Sequence, residues 1–163
     1  MWLDEINNKV FTDKASLAEK VKDWRAESLK VVFTNGCFDI LHLGHIDYLS
    51  KAADLGDRLV IGVNTDKSVS VLKGPTRPII NEQTRLIKLA SLHFVSAVIL
   101  FNEETPLELI KAVNPNVLVK GGDYTIETIV GATEVLSNGG DVSVIPFLEG
   151  HSTTSIVNKI KEE

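Results

Sequence analysis

Blocks of apolar and polar residues alternate along the chain and predict five buried strands, each followed by a helix. Short apolar runs bounded by polar residues or glycine are typical of strands that are covered on both faces. The predicted strands are Val31–Phe33, Arg58–Val63, Ala97–Phe101, Val117–Val119 and Val142–Ile145. Strands that alternate with helices form a parallel sheet with helices on both faces. The predicted fold is therefore α/β, a Rossmann-like doubly wound five-stranded parallel sheet in three α/β/α layers.

Apolar residues at helical spacing predict the elements around these strands. Segment 1–29 is expected to be a helical extension packed on the core, with Trp2 among the covering residues and an apolar stripe of Leu17, Val21 and Trp24. Residues 126–137 are predicted to be helical, whereas 67–81, rich in glycine, proline and basic residues, is predicted to be a long loop. A last helix is expected after Ser152, with its inward side formed by Ile156, Val157 and Ile160.

Composition and charge narrow the class of protein. The 163 residues, 44% hydrophobic and 24% charged, suit one domain over 1–163. The net charge of −5 disfavours a general nucleic-acid binder. Cys37 is the single cysteine, so no intramolecular disulfide can form, which fits a reducing compartment. No apolar run approaches the ~20 residues of a membrane helix, and we see no signal peptide, so a soluble cytoplasmic protein is expected.

The first predicted strand leads into a stretch suited to phosphate. It continues through Asn35 and Gly36 to His42-Leu43-Gly44-His45, where a helix begins. A helix N-terminus has unpaired N–H groups and a partial positive charge, and imidazoles can donate hydrogen bonds to phosphate oxygens. Two structural histidines or half of a metal site are the alternatives, but no adjacent cysteine or carboxylate pair completes a usual ligand set. The stretch therefore predicts a triphosphate site.

Other polar motifs follow later predicted strands, at the sheet edge where ligands bind in such folds. Lys120-Gly121-Gly122-Asp123 follows the fourth strand, where the alternative is a tight turn with an exposed lysine. Ser152-Thr153-Thr154 follows the fifth strand and is expected to cap a helix, with phosphate binding as an added role. Lys73, Arg77 and Arg85 are candidate phosphate cations or, alternatively, solvated charges.

The motifs together resemble a known family. His42-Leu43-Gly44-His45 resembles the His-x-Gly-His signature of the nucleotidyltransferase superfamily. With Phe33–His42, the segments Gly62–Asp66, Lys73–Pro78 and Val119–Tyr124 resemble D-glycero-β-D-manno-heptose 1-phosphate adenylyltransferases. The resemblance implies a nucleotidyltransferase-type fold and transfer of AMP from ATP to a heptose 1-phosphate. The products would be ADP-heptose and pyrophosphate, for lipopolysaccharide core or another surface glycan.

The resemblance and the residue types together assign site roles. The candidate catalytic residues are His42, His45, Lys73 and Lys120. The candidate ATP-binding residues are Asn35, Gly36, Cys37, Phe38, Gly44, Asn64, Arg85, Ser152, Thr153 and Thr154. The candidate sugar-phosphate ligands are Asp39, Asp66, Arg77, Gly121, Gly122 and Asp123. Mg²⁺ is expected to be bound through ATP phosphates without a direct protein ligand, and Cys37 is expected to be a small buried residue without a nucleophilic role.

Two other functions stay open from the sequence. One is a cytidylyltransferase acting on a polyol phosphate such as glycerol 3-phosphate. In those relatives the motif is Ile-Ser-Thr-Thr after an arginine, whereas here His151 replaces the isoleucine and the arginine is absent. The other is a non-catalytic nucleotide-binding module. The resemblance also implies a homodimer or higher homo-oligomer and, because some relatives are fused to a sugar kinase, a separate kinase that supplies the heptose phosphate. Nucleic-acid and membrane partners are not expected.

Overall fold

The fold is built on a parallel sheet. A computed structural model describes residues 1–162, in which six strands form one sheet and every neighbouring pair is parallel. The strands are β1 (Val10–Phe11), β2 (Val31–Gly36), β3 (Arg58–Asn64), β4 (Val95–Phe101), β5 (Val117–Gly121) and β6 (Asp141–Ile145). Their spatial order is β1-β4-β3-β2-β5-β6. The strand order reverses at β2, which is where ligands bind in open α/β sheets.

The Rossmann-like α/β class is confirmed, but the prediction of five strands was wrong because β1 was missed. This strand has two residues, Val10 and Phe11, so it is too short to display a strand pattern in the sequence. It lies at the outer edge beside β4, where Val10 is paired with Val98 and the Val98 N–H donates to the Lys9 carbonyl at 2.8 Å. Pairing with β4 therefore stabilises this strand.

Helices cover both faces of the sheet. They are α1 (Trp2–Asn7), α2 (Lys14–Ala26), α3 (Leu43–Ala53), α4 (Asp66–Lys73), α5 (Glu82–Ala90), α6 (Leu107–Val113), α7 (Ala132–Ser137) and α8 (Thr153–Lys161). The buried residues of α2, α6 and α7 pack in one apolar cluster with β-strand side chains, and those of α3 and α5 pack in a second cluster. No helix within residues 1–162 is long and apolar enough to cross a membrane.

The structure corrects two predictions about the connections. The segment 67–81 is not wholly a loop, because α4 occupies its first half and Thr65 caps that helix by accepting from the Ser68 N–H. The sequence of α4 is mostly polar, so it lacks a broad apolar stripe. The helix predicted over 126–137 is only partly confirmed: a short 3₁₀ turn comes first, and α7 starts after Gly131, whose φ of 86° interrupts the helix.

Two predictions about buried side chains were wrong. Trp2 is 82% exposed and Ile160 is 67% exposed, so neither covers the core. Both lie in helices near the ends of the described chain, where little packs outside them. The stripe on α2 is confirmed, since Leu17, Val21 and Trp24 are buried.

Candidate active site

Two adjoining cavities lie at the carboxyl edge of the sheet in the described part of the chain. The large cavity has a volume of about 580 Å³ and is lined by the ends of several strands, including Asn35 of β2, Asn64 of β3 and Lys120 of β5. The small cavity, of about 420 Å³, lies at the starts of α3 and α8. Both are lined by His45, Lys73, Phe147 and Thr153. A reaction between two bound molecules would take place where they meet.

Most of the predicted site residues line these cavities. Those that do are Asn35, Gly36, Cys37, Phe38, Asp39, His42, Gly44, His45, Asn64, Lys73, Arg77, Lys120, Gly121, Ser152, Thr153 and Thr154. Those that line neither are Asp66, Arg85, Gly122 and Asp123. The sequence motifs separated by more than a hundred residues therefore meet at one edge of the sheet.

The two histidines stack on each other at the start of α3. His42 is the N-cap residue in an extended conformation, and its ring centroid lies 3.8 Å from that of His45 with an interplanar angle of 25°. A Cβ on Gly44 would lie 3.1 Å from His42 Cε1 and Nδ1, so the absence of a side chain there allows this ring position. Phe38, in a left-handed conformation (φ 48°), contacts the edge of His45 at 5.5 Å between centroids.

Burial favours the neutral form of both histidine rings. Burial, and then the charges of His42 and Lys73, lower the pKa of His45 to about 4. Burial, and then the charge of His151, lower the pKa of His42. The Nδ1 atoms of both rings are buried without a hydrogen-bond partner in residues 1–162. A bound phosphate would raise both pKa values, because a nearby negative charge favours the imidazolium.

Two lysines add positive charge. Lys73 ends α4 and lines both cavities, and Lys120 lies near the end of β5 in the large cavity. Burial lowers the pKa of Lys120, whose Nζ lies 5.5 Å from the centroid of the Tyr124 ring. An ammonium over an aromatic face is attracted by the ring quadrupole. These contacts orient Lys120 within the large cavity.

The start of α8 forms one wall of the small cavity. The Ser152 Oγ accepts from the Ser155 N–H at 3.0 Å, so the predicted N-cap is confirmed. Ser152, Thr153 and Thr154 all line the cavity. The first N–H groups of a helix have no partner within it, and they favour an anion. The helix N-termini of α3 and α8 thus face the same cavity.

Asp39 is tied to the loop before α5. Its side chain is 1% exposed, and its carboxylate accepts from the N–H groups of Ile79 (2.9 Å) and Ile80 (2.8 Å). The Arg77 Nε lies 2.9 Å from Asp39 Oδ2. The carboxylate therefore holds Arg77 against the small cavity. This geometry favours a supporting role, and sugar binding by Asp39 stays a prediction.

The buried side chain of Arg85 links three segments of the chain through hydrogen bonds. Its guanidinium donates to the Cys37 carbonyl at 2.6 Å, to the Ile80 carbonyl at 2.9 Å and to Asp66 Oδ1 at 2.8 Å. Because Arg85 and Asp66 line neither cavity, we interpret them as groups that fix the loop after β2, and their ligand roles stay predictions. Cys37 is only partly buried and lines the large cavity, so the expectation of a buried residue is not fully met. Its partial burial raises the pKa of the thiol, which agrees with an unreactive side chain.

The glycine pair after β5 lies against an aromatic residue that the sequence did not suggest. A Cβ on Gly121 would lie 2.6 Å from Phe147 Cε1, and Gly122 adopts a φ of 107°. Phe147 is 60% exposed, lines both cavities and contacts Tyr48 edge-on at 6.0 Å. Asp123 is exposed outside the cavities. The glycines thus make room for Phe147 at the boundary between the two cavities.

Several other lining residues were missed from the sequence. The Tyr48 hydroxyl lies 2.6 Å from Thr34 Oγ1, and burial raises the pKa of Tyr48 to about 12. Glu104 and Thr105 follow β4, and Thr128 follows β5. The rule that ligands bind at the carboxyl ends of strands would have found the residues after β4, had it been applied to that strand.

Comparison with known proteins identifies the class. The family model described as cytidylyltransferase-like matches residues 33–159, so the chain belongs to the cytidylyltransferase-like family. Among curated relatives, the bifunctional protein HldE of Methylobacillus flagellatus is 54% identical over 145 residues, which are 89% of this chain and 30% of that protein. HldE of Caulobacter vibrioides is 55% identical over 148 residues, 91% of this chain and 31% of that protein. The chain thus spans about a third of the length of these relatives.

Solved structures agree with the fold. The lipopolysaccharide core biosynthesis protein of Thermoplasma volcanium is 30% identical with a TM-score of 0.58, covering 76% of this chain and 99% of that one. Pantoate-beta-alanine ligase of Francisella tularensis has a TM-score of 0.60, and the match covers 94% of this chain and 78% of that one. It is only 14% identical in sequence, so it supports the fold alone.

Proposed function

We propose that the chain transfers AMP from ATP to D-glycero-β-D-manno-heptose 1-phosphate, releasing pyrophosphate and forming ADP-heptose. The observation that carries the proposal is the stacked pair of His42 and His45 at the start of α3, where the two cavities meet. Identity above 50% with HldE proteins over most of this chain supports the choice of reaction. Because those relatives are about three times longer, their whole activity is not carried over.

The reaction needs charge stabilisation more than proton transfer. A phosphate oxygen of the acceptor attacks the α-phosphorus of ATP in line, the new O–P bond forms, and the bond to the β-phosphate oxygen breaks. The acceptor phosphate is already a dianion near neutral pH, so no general base is required. In this proposal His42 and His45 donate hydrogen bonds to the phosphates, and Lys73 neutralises charge between the cavities.

The small cavity suits the departing pyrophosphate. Its lining includes the starts of α3 and α8, Arg77 and three histidines, and it includes no carboxylate in the described residues. Ser152 and its two threonine neighbours would hold the β- and γ-phosphates through hydroxyl and backbone donors. The large cavity, lined by Lys120, would then hold the acceptor. Each donor of this kind is worth roughly 10²–10³ in rate.

Mg²⁺ would accompany ATP. Within residues 1–162 no group of three or more His, Cys, Asp and Glu side chains could hold a metal ion. In the described residues, the small cavity has no carboxylate in its lining. Asp39, which lines the large cavity, is engaged by Arg77 and two backbone N–H groups. The residues fit a metal bound through the triphosphate, where it would neutralise phosphate charge.

The cellular role follows the proposed product. We propose that ADP-heptose made by this chain in the cytoplasm serves lipopolysaccharide core or another surface glycan, as the name of the Thermoplasma volcanium structure suggests for that protein. A sugar kinase would supply the heptose 1-phosphate, and a homodimer or higher homo-oligomer is the proposed assembly.

A panel of nucleotides and acceptors tests the proposal. ATP and CTP are each combined with heptose 1-phosphate and with glycerol 3-phosphate, and the products are identified by mass. ADP-heptose as the main product is the expected result. CDP-glycerol would instead support the second candidate, which the cytidylyltransferase-like family match keeps open. No product from any pair, with a folded protein that binds ATP, would indicate a non-catalytic module.

A further inference from the structure

One wall of the large cavity carries a carboxylate, Glu104, that takes no part in the proposed phosphate chemistry. Glu104 and Thr105 line it just before α6. The α6 helix packs in the apolar cluster with α2 and α7, whereas α3, which carries the histidines, packs in the cluster on the other face. In addition, β3 separates β4 from β2, which places the two strand ends about 10 Å apart at ~4.8 Å per strand. This wall is therefore distant from the phosphate-binding histidines.

The loop after β5 completes the wall. Ile129 is buried in the same cluster as Ile110 of α6, and a Cβ on Gly131 would lie 2.7 Å from Ile110 Cδ1. This close approach brings Thr128 to the cavity that Thr105 also lines. The Thr128 Oγ1 donates to the Thr125 carbonyl at 2.8 Å and accepts from the Thr125 Oγ1 at 3.4 Å, so one of its two lone pairs is available to a hydroxyl donor.

The charges on this wall suit hydroxyl groups. Asp39 and Glu104 are the carboxylates that line the large cavity. Asp39 is engaged by Arg77 and backbone N–H groups, whereas Glu104 makes no hydrogen bond or ion pair in the part of the chain described. An ionised carboxylate only accepts hydrogen bonds and repels phosphate. A polyol therefore fits beside Glu104, and its phosphate fits beside Lys73 and Lys120.

We propose that Glu104, with Thr105 and Thr128, binds the hydroxyl groups of the acceptor sugar and sets which sugar phosphate is used. The inference rests on the proposed adenylyl transfer and adds the residues that distinguish the acceptor. The phosphate of the sugar points toward His45 and Lys73, and the carbons that carry the hydroxyls point toward the start of α6. Glu104 is a specificity-determining residue and takes no part in the transfer of AMP.

Glu104→Ala and Glu104→Gln test the assignment against Glu103→Ala. Glu103 is a matched control because it is the adjacent glutamate, pairs with Lys14 and does not line the cavity. Loss of a hydrogen bond to a charged group is expected to raise the KM for heptose 1-phosphate about tenfold to a hundredfold. The KM for ATP and kcat are expected to change by less than about threefold, since Glu104 lies away from the phosphates. Glu103→Ala is expected to behave like the wild type.

Calorimetry with heptose 1-phosphate separates the possible failures. Weaker binding by Glu104→Ala than by wild type and Glu103→Ala supports the assignment. If Glu104→Ala binds heptose 1-phosphate as tightly as the wild type does, the proposed role of Glu104 is wrong. The proposed reaction is not affected by that result. A rise in the KM for ATP, with the acceptor KM unchanged, assigns this wall to the nucleotide ribose and overturns the inference. A wild type that neither binds heptose 1-phosphate nor converts it overturns both proposals.

Discussion

Gly44→Ala is expected to reduce activity while leaving the protein folded. A Cβ at this position would lie 3.1 Å from Cε1 and Nδ1 of His42 and 3.2 Å from Cβ of His151. Ordinary van der Waals contacts of carbon are about 3.5–4.0 Å, so the neighbours must move by several tenths of an ångström. His42 is stacked on His45 at 3.8 Å between centroids, so its displacement disturbs the pair.

The effects on stability and on rate differ in size. Alanine is favoured over glycine in a helix interior by about 0.8–1 kcal/mol, and the gain is smaller in the first turn of α3. The close contacts offset that gain, so the free energy of unfolding is expected to stay within about 1 kcal/mol of wild type. A misplacement of 1 Å can cost about 10² in rate, so a shift of a few tenths should cost about 3- to 10-fold in kcat.

Pyrophosphate release at saturating ATP and urea unfolding measure the two quantities. His42→Ala and the double variant His42→Ala/Gly44→Ala complete a double-mutant cycle. If Gly44 acts through His42, the double variant loses no more activity than His42→Ala alone. Wild-type kcat in folded Gly44→Ala, or full additivity in the cycle, would show that Gly44 does not act through the position of His42.

Three further predictions concern charge. Asp39→Asn should lower the free energy of unfolding in urea by about 2–4 kcal/mol, because a buried carboxylate paired with Arg77 is lost. An unchanged midpoint of urea unfolding, together with weaker acceptor binding, would instead favour sugar binding by Asp39. The free energy of unfolding should fall as the pH drops from about 6.5 to about 4, because the pKa of His45 is about 4 when folded and the unfolded chain binds more protons in that window. In His45→Gln the free energy of unfolding should fall by about 1–2 kcal/mol less over this pH range than in the wild type, after allowance for solvent screening. An equal pH dependence in both proteins would contradict this prediction. ATP binding at pH 6 should take up more protons in the wild type than in His45→Gln, because phosphate raises the pKa of His42 and His45. Calorimetry in two buffers of different ionisation enthalpy measures this, and equal uptake by both proteins would argue against phosphate contact by His45.

The sequence predicted the strands and strand ends best where a buried apolar run led into a polar motif. The apolar runs Val31–Phe33 and Val117–Val119 lie in β2 and β5 and are buried. Lys120 lies at the end of β5, and His42 and His45 lie at the start of α3, which follows β2. Parallel strands place those turns at one edge, so the meeting of distant motifs could be predicted. The two-residue strand β1 could not be predicted from the sequence, because its pairing with β4 depends on tertiary contact.

The charged residues were harder to assign because a charge pattern does not reveal the partner. Arg85 and Arg77 have the same side chain, yet the Arg85 side chain is fully buried and pairs with Asp66, whereas Arg77 reaches the small cavity beside Asp39. Phe147 was missed because one aromatic residue in a loop has no periodicity. Its position depends on Gly121, 26 residues earlier, where any Cβ would collide with the ring.

The role of His45 in adenylyl transfer is tested by the rate of ADP-heptose formation by His45→Ala, with the product identified by mass. His45 lines both cavities, whereas His93 is exposed outside them and provides the matched control. We expect ADP-heptose and pyrophosphate from wild type and His93→Ala, and a rate about 10²–10³ lower from folded His45→Ala. A near-wild-type rate in His45→Ala, or a wild type that makes no ADP-heptose, would contradict this expectation.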